Sequence, residues 1–180
     1  AELEDGSIIR GESNIDVPKH DGRKKIKNVF LKPEGKINPQ VRKALLEADL
    51  IVLGPGDLYT SVVPNLLVRG VREAIRQSPA IKIYIVNIMT KWGETNGFKA
   101  VDFTETIEKY LGGKILDYAL VNNKKPSPQR LKLYEKEGAE FVEIQNASKC
   151  PNLIVGNFLR SSGLVRHDPD CLAKTLISLV

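Results

Sequence analysis

The segment ADLIVLGPGDLYTSVVPNLLV, from Ala48 to Val68, constrains the fold of this chain more than any other stretch. Asp49 opens an apolar run, Leu50-Ile51-Val52-Leu53, which stops at Gly54-Pro55-Gly56. A short apolar run bounded by turn residues is the pattern of a strand buried on both faces in a parallel sheet. Behind the glycines stand Asp57, Tyr59, Thr60 and Ser61, and Pro64 heads an apolar stretch that predicts a helix to about Gln77. Strand, bend and helix in that order place polar groups at the carboxyl edge of a sheet, where open α/β sheets bind ligands. The glycines let backbone N–H groups approach a ligand, and the start of a helix favours negative charge, which together suit a phosphate. Glycine also serves such turns by geometry alone, and GPG is neither a Walker loop nor GxGxxG.

The rest of the chain repeats the alternation. Ile81 to Val86 predicts a second buried strand that delivers Asn87, Met89 and Thr90 to its end, followed by the loop Lys91 to Phe98. A helix is expected from about Asp102 to Leu111, with Phe103, Ile107 and Leu111 on one face, and Tyr118 to Val121 is a third strand ending in Asn122-Asn123. Phe141-Val142 and Leu153 to Val155 are short strand candidates. Asn38-Pro39, Ser127-Pro128 and Asp168-Pro169 each pair an N-capping side chain with a first-turn proline, which marks three helix starts. Gly138 is expected to close the second of these helices. At the start, Asp5-Gly6 predicts a hairpin turn within Leu3–Ile9, and Ile26 to Leu31 alternates like a half-exposed strand. The class is therefore α/β: a Rossmann-like open sheet of mainly parallel strands, helices on both faces, and a small N-terminal β-hairpin. One domain over residues 1–180 suffices for this length.

Charge and cysteine content narrow the function classes. The net charge of +5 invites a nucleic-acid partner, but the lysines are scattered or fall in short clusters such as Arg23-Lys24-Lys25. No aromatic interleaving accompanies them, so a solvated surface and no nucleic acid are expected. No apolar run approaches a bilayer span, which predicts no membrane segment. The opening AELEDG has neither a basic start nor an apolar core, so no leader and a cytoplasmic location are expected. Cys150 and Cys171 lack metal-ligand spacing and read as free thiols, and His20 and His167 lack partners for a zinc site.

In a parallel sheet all strand carboxyl ends share one edge. Asp57, Tyr59, Thr60 and Ser61, then Asn87, Thr90, Glu94 and Thr95, then Asn122-Asn123 are therefore expected in one cleft. Gly54 and Gly56 belong to it as the backbone of the bend. Carboxylates, hydroxyls and amides suit phosphate, ribose and base edges. No histidine or cysteine nucleophile accompanies them. Asp57 and Glu94 could hold a magnesium ion, which needs only one or two carboxylates, or stand as solvated loop acids. Met89 and Trp92 read as packing residues.

Set in order, LEDGSIIRGESNI, ADLIVLGPGDLYTSVVPNLLV, NIMTKWGETNGF, LVNN and VRHDP resemble the YvcK/CofD-like family over nearly the whole chain. That family includes gluconeogenesis factors that bind UDP-sugars and 2-phospho-L-lactate transferases. The elements GES, GETNGF and RHDP resemble the gluconeogenesis-factor branch. The resemblance implies a non-catalytic, UDP-sugar-binding regulator of central carbon metabolism and cell-wall precursor supply, with no cofactor required and a homo-oligomeric state. A dinucleotide is the other ligand considered, and a magnesium-dependent 2-phospho-L-lactate transferase the alternative function. By the same resemblance, Tyr134 and Arg166 contact the UDP-sugar; a tyrosine ring can stack on uracil and a guanidinium can fork onto the diphosphate. Family members begin with a strand and a GGGTG-type loop ahead of the point where this sequence starts, so the chain resembles their carboxyl-terminal portion. It departs from the family at Asp57 (usually serine), Arg69 (proline), Lys91-Trp92 (Gln-Pro) and Phe103 (histidine).

Overall fold

Apolar runs separated by Gly, Pro and Asn become the strands of one parallel sheet in the computed structural model, which describes residues 1–145 and 152–180. The elements in chain order are β1 (Glu2–Leu3), α1 (Glu12–Asp16), β2 (Ile26–Asn28), α2 (Pro39–Glu47) and β3 (Leu50–Leu53). A π-helical turn (Leu58–Val62), α3 (Val63–Leu66), α4 (Val71–Gln77), β4 (Ile81–Ile85) and α5 (Ala100–Leu111) follow. The last are β5 (Tyr118–Asn122), α6 (Pro128–Glu135), β6 (Leu153–Gly156) and α7 (Pro169–Ile177). The four-stranded sheet has the order β3-β4-β5-β6, every pair parallel, with Ile51 opposite Lys82, Ile85 opposite Leu120 and Leu120 opposite Ile154.

Alternation along the strands feeds two cores. Tyr84, Val86, Ala119 and Val121 point to one face, where Phe103, Ile107 and Leu111 of α5 are fully buried with Val63 and Ile75. Ile83, Ile85 and Leu120 point to the other, against Phe158 and Leu172 of α7. Burying a phenylalanine of this kind contributes about 3–5 kcal/mol against alanine, so Phe103 is a principal anchor of the first core. The fold class expected from the sequence is the one observed, with helices on both faces.

The three proline-marked helices start where their caps predict. The Asn38 side chain accepts the Gln40 N–H at 2.8 Å, and Asp168 accepts the N–H groups of Asp170 and Cys171 at 3.0 Å each. Ser127 caps α6 at 3.4 Å. Such caps satisfy donors that the first helical turn leaves free.

Two local expectations, the Pro64–Gln77 helix and the strand to Leu31, are corrected, and the N-terminal hairpin is found. The helix expected from Pro64 to Gln77 begins earlier, as the π-helical turn closed by Val62 N–H donating to the Asp57 carbonyl, and breaks at Gly70. Gly70 has φ +97°, and a Cβ there would lie 2.6 Å from Ile37, so the close passage of the 36–37 segment bends the chain. That passage is fixed by Ile37 N–H donating to the Arg69 carbonyl. The hairpin at the start exists as a Gly6 turn with a bridge between Glu2 and Ile8, and β1 takes β2 as its antiparallel partner. The strand expected to run to Leu31 ends at Asn28, because the Val29 N–H donates to the Tyr110 hydroxyl at 2.9 Å instead of to a strand. Cys150 lies outside the described residues, and Cys171 is exposed and unpaired. Among the described residues, no helix is long and apolar enough to cross a membrane.

Candidate functional site

A cleft of about 850 Å³ opens at the carboxyl edge of the sheet. Gly56 and Asp57 after β3, Asn87 and Thr90 after β4, Tyr134 of α6 and Arg166 ahead of α7 all line it. Six of the ten expected site residues thus come together from four separate segments. Gly54, Tyr59, Thr60 and Ser61 do not line it. Gly54 has φ +78° and a Cβ there would lie 3.1 Å from the Ile85 carbonyl, so its glycine serves the turn. Tyr59 is buried in the core, where desolvation pushes its phenol up to about 12, and Ser61 is exposed on the outside of the π-helical turn.

The donors at the start of that turn are taken by the protein itself. Glu94, 3% exposed, accepts the Tyr59 N–H at 3.0 Å through one oxygen and the Thr60 hydroxyl at 3.0 Å through the other. A carboxylate occupies the place at which the sequence suggests a phosphate. Burial raises the Glu94 carboxyl to about 7; the bonds from Tyr59 and Thr60 oppose that rise, nearby Asp57 adds to it, and Lys91 opposes it. Asn122 also turns inward, its Oδ1 accepting Phe158 N–H at 3.1 Å and its Nδ2 donating to the Lys124 carbonyl at 2.8 Å. It braces the β5–β6 end, and neither it nor Asn123 lines the cleft.

Beside Glu94, carboxylate oxygens of Asp16, Asp57 and Glu94 lie within 4.8 Å of one another. The Lys91 ammonium donates to Asp16 at 2.8 Å and to Asp57 at 3.1 Å. Burial alone would lower the Lys91 pKa, but its bonds and charge pairing with the two aspartates outweigh burial and raise it. The sequence offered Asp57 and Glu94 either as magnesium ligands or as solvated loop acids, and Glu94 is buried instead of solvated; Asp16 and Lys91 are the residues missed. Asp16 closes α1 and lies 75 positions from Lys91, so nothing in local spacing announces the pair.

The opposite wall is the turn between β6 and α7. Arg160 N–H donates to the Arg166 carbonyl at 2.9 Å, and Leu159 bridges His167. Helix α6 clamps this turn: Arg130 donates to the carbonyls of Arg160 and Leu164 at 2.9 and 2.7 Å. The Tyr134 hydroxyl accepts the Val165 N–H at 2.9 Å. Arg166 is exposed, on a segment whose backbone is held on both sides. Burial lowers the pKa of His167, also on the wall, while a contact with the Val86 backbone works the other way. Its Nε2 and the Asn87 Oδ1 are buried without a hydrogen-bond partner among the described residues.

With this geometry in view, comparison with known proteins is direct. A family model described as 2-phospho-L-lactate transferase CofD matches residues 1–157. A gluconeogenesis factor of Halalkalibacterium halodurans is 43% identical over 182 residues, which is 98% of this chain and 55% of that relative. One from Listeria innocua is 41% identical over 186 residues, covering all of this chain and 55% of the relative. A crystal structure of a UPF0052-family protein from Bacillus halodurans superposes with TM-score 0.90 at 40% identity, covering 98% of this chain and 57% of that one. The chain spans about half the length of the curated relatives it matches. Sequence, fold and relatives agree: the chain belongs to the CofD family, with curated gluconeogenesis factors among its relatives.

Proposed function

We propose that the cleft binds a nucleotide sugar, a UDP-sugar by resemblance, and that the protein acts through this binding without turnover. Its role is then regulatory, in central carbon metabolism and cell-wall precursor supply. The observation that carries the reading is the convergence of Gly56, Asn87, Tyr134 and Arg166 on one cleft at the carboxyl edge of a parallel sheet. Its volume of about 850 Å³ is within the range of small-molecule sites and ample for a nucleotide with a sugar attached. The relatives named gluconeogenesis factor support the same direction.

The alternative, a magnesium-dependent transferase, draws on the Asp16, Asp57 and Glu94 corner. That corner offers a divalent ion less negative charge than three carboxylates suggest. Lys91 supplies one positive charge to it, and Glu94 holds a proton up to about neutral pH. Calorimetry of the full chain with UDP-glucose, with and without magnesium, tests the reading, alongside chromatography of the nucleotide after incubation. Saturable, magnesium-independent binding with intact UDP-glucose supports it. Magnesium-dependent consumption of the nucleotide would move the protein to the transferase class.

A further inference from the structure

Resting on the nucleotide-sugar reading above, we propose that the exposed part of the Trp92 indole is the stacking surface for the base of the bound nucleotide. Trp92 is the single tryptophan of the 180 residues and lines the cleft with 40% of its surface exposed. As a packing residue it would be expected to bury more, since a large aromatic gains most from full desolvation.

The exposure does not come from a loose side chain. A Cβ at Gly22 would collide with the indole Nε1, and one at Gly138 would lie 3.0 and 3.1 Å from Cε3 and Cδ2. Gly22 is buried and its backbone is not in the left-handed region, so the indole, not the backbone, requires glycine there. At Gly22 the chain thus gives up a side chain to seat the ring, while Gly138, with φ +66°, also serves the turn that ends α6. The supporting loop is equally fixed: Lys91 N–H donates to the Thr95 hydroxyl at 2.9 Å and Gly93 N–H to Asn96 Oδ1 at 2.8 Å. Asn96 in turn donates to the Gly22 carbonyl, and Gly93 lies so close to Pro18 that a Cβ would approach it to 2.6 Å.

A rigid, partly uncovered indole in a cleft favours a planar aromatic partner. A phosphate offers the ring no face and a sugar only its C–H groups, whereas every nucleobase presents a planar π-face. The same cleft holds two buried polar atoms without partners among the described residues, Asn87 Oδ1 and His167 Nε2. The first calls for an N–H or O–H donor on the ligand and the second for a hydrogen-bonding group, as the imide of a base or the hydroxyls of a ribose provide.

Fluorescence and calorimetry on the full chain test this with UDP as the base-bearing probe and inorganic pyrophosphate as the base-free one. Trp92→Leu is expected to weaken UDP binding by about tenfold or more, the scale of base–aromatic stacking. Trp92→Phe, which keeps a π-face, should stay within about threefold of the original affinity. Pyrophosphate should bind all three forms alike, and UDP should quench the Trp92 emission. Unchanged UDP affinity in a folded Trp92→Leu protein overturns the stacking surface while leaving the nucleotide-sugar reading intact. Should that variant not fold, calorimetric saturation by UDP without any change in Trp92 emission overturns it equally. Absence of UDP binding to the unaltered chain overturns both.

Discussion

The Glu94 carboxylate accepts the backbone N–H of Tyr59 at 3.0 Å, joining the loop after β4 to the first turn after β3. Glu94 is almost wholly buried, and its carboxyl is raised to about 7 from an ordinary 4.5, chiefly by desolvation. A raised carboxyl means that the folded chain holds the proton more tightly than the unfolded one. The stabilisation is complete below about pH 4.5 and is lost as pH rises through about 7, amounting to about 3 kcal/mol. Glu94→Gln keeps the shape and an acceptor but cannot titrate. Thermal melts of both proteins between pH 4.5 and 8 should converge in slope at the ends and differ between them, the unaltered chain losing stability relative to the variant. Parallel profiles across that window would show that Glu94 does not titrate there. His167 has the opposite sign, its lowered pKa favouring stability at higher pH, and it cancels in the difference between the two proteins.

Lys91 should tune that transition. Its ammonium bridges Asp16 and Asp57 and is one of the influences that hold the Glu94 carboxyl down. Lys91→Met should therefore move the transition to higher pH, read as a displaced step in the same melts. A step at an unchanged or lower pH would contradict the electrostatic account of the acidic corner.

The sheet was legible in the sequence because each strand is a short apolar run closed by Gly, Pro or Asn. The Asn38-Pro39, Ser127-Pro128 and Asp168-Pro169 pairs carried the helix starts through local chemistry alone. The site was legible in part, since topology placed Gly56, Asp57, Asn87 and Thr90 on one edge and the family resemblance supplied Tyr134 and Arg166. What the sequence hid are pairings across long separations. Glu94 turns inward to cap a segment 35 positions away, and Asp16 reaches Lys91 from 75 positions away. Neither has a local period or spacing. The break at Gly70 was missed for the same reason, because the crossing of Ile37 over Gly70 decides it.

Two glycines of one loop should respond differently. Gly54 has φ +78° and sits against the Ile85 carbonyl, so Gly54→Ala should cost about 1–3 kcal/mol of stability through backbone strain. Gly56 lacks a left-handed φ and lines the cleft, with Ser61 3.2 Å from where a Cβ would sit. Gly56→Val should lower the melting temperature by crowding Ser61 and Val62 and should also lower ligand affinity, because the displaced backbone is part of the cleft wall. Denaturant titration and calorimetry on both variants check the pair. A Gly56→Val protein that loses stability but binds normally would reduce this glycine to a turn residue.

Tyr134 supports the Arg166 turn through its hydroxyl, which accepts the Val165 N–H. Tyr134→Phe keeps the ring and leaves that N–H without its partner, at a cost of about 1 kcal/mol. Hydrogen exchange should show faster opening of residues 160–167, with the exchange of β4 and β5 unchanged. Equal protection in both proteins would remove the hydroxyl from that role.

Arg166 carries the most direct test of the proposed ligand. Its guanidinium stands exposed on the cleft wall, on a backbone held by α6, where it can fork onto a diphosphate. Titration calorimetry with UDP-glucose should show Arg166→Ala binding about 1.5–3 kcal/mol more weakly than the unaltered full chain, with its melting temperature preserved. An unchanged dissociation constant in a folded Arg166→Ala protein would contradict the assignment of this cleft as the nucleotide-sugar site.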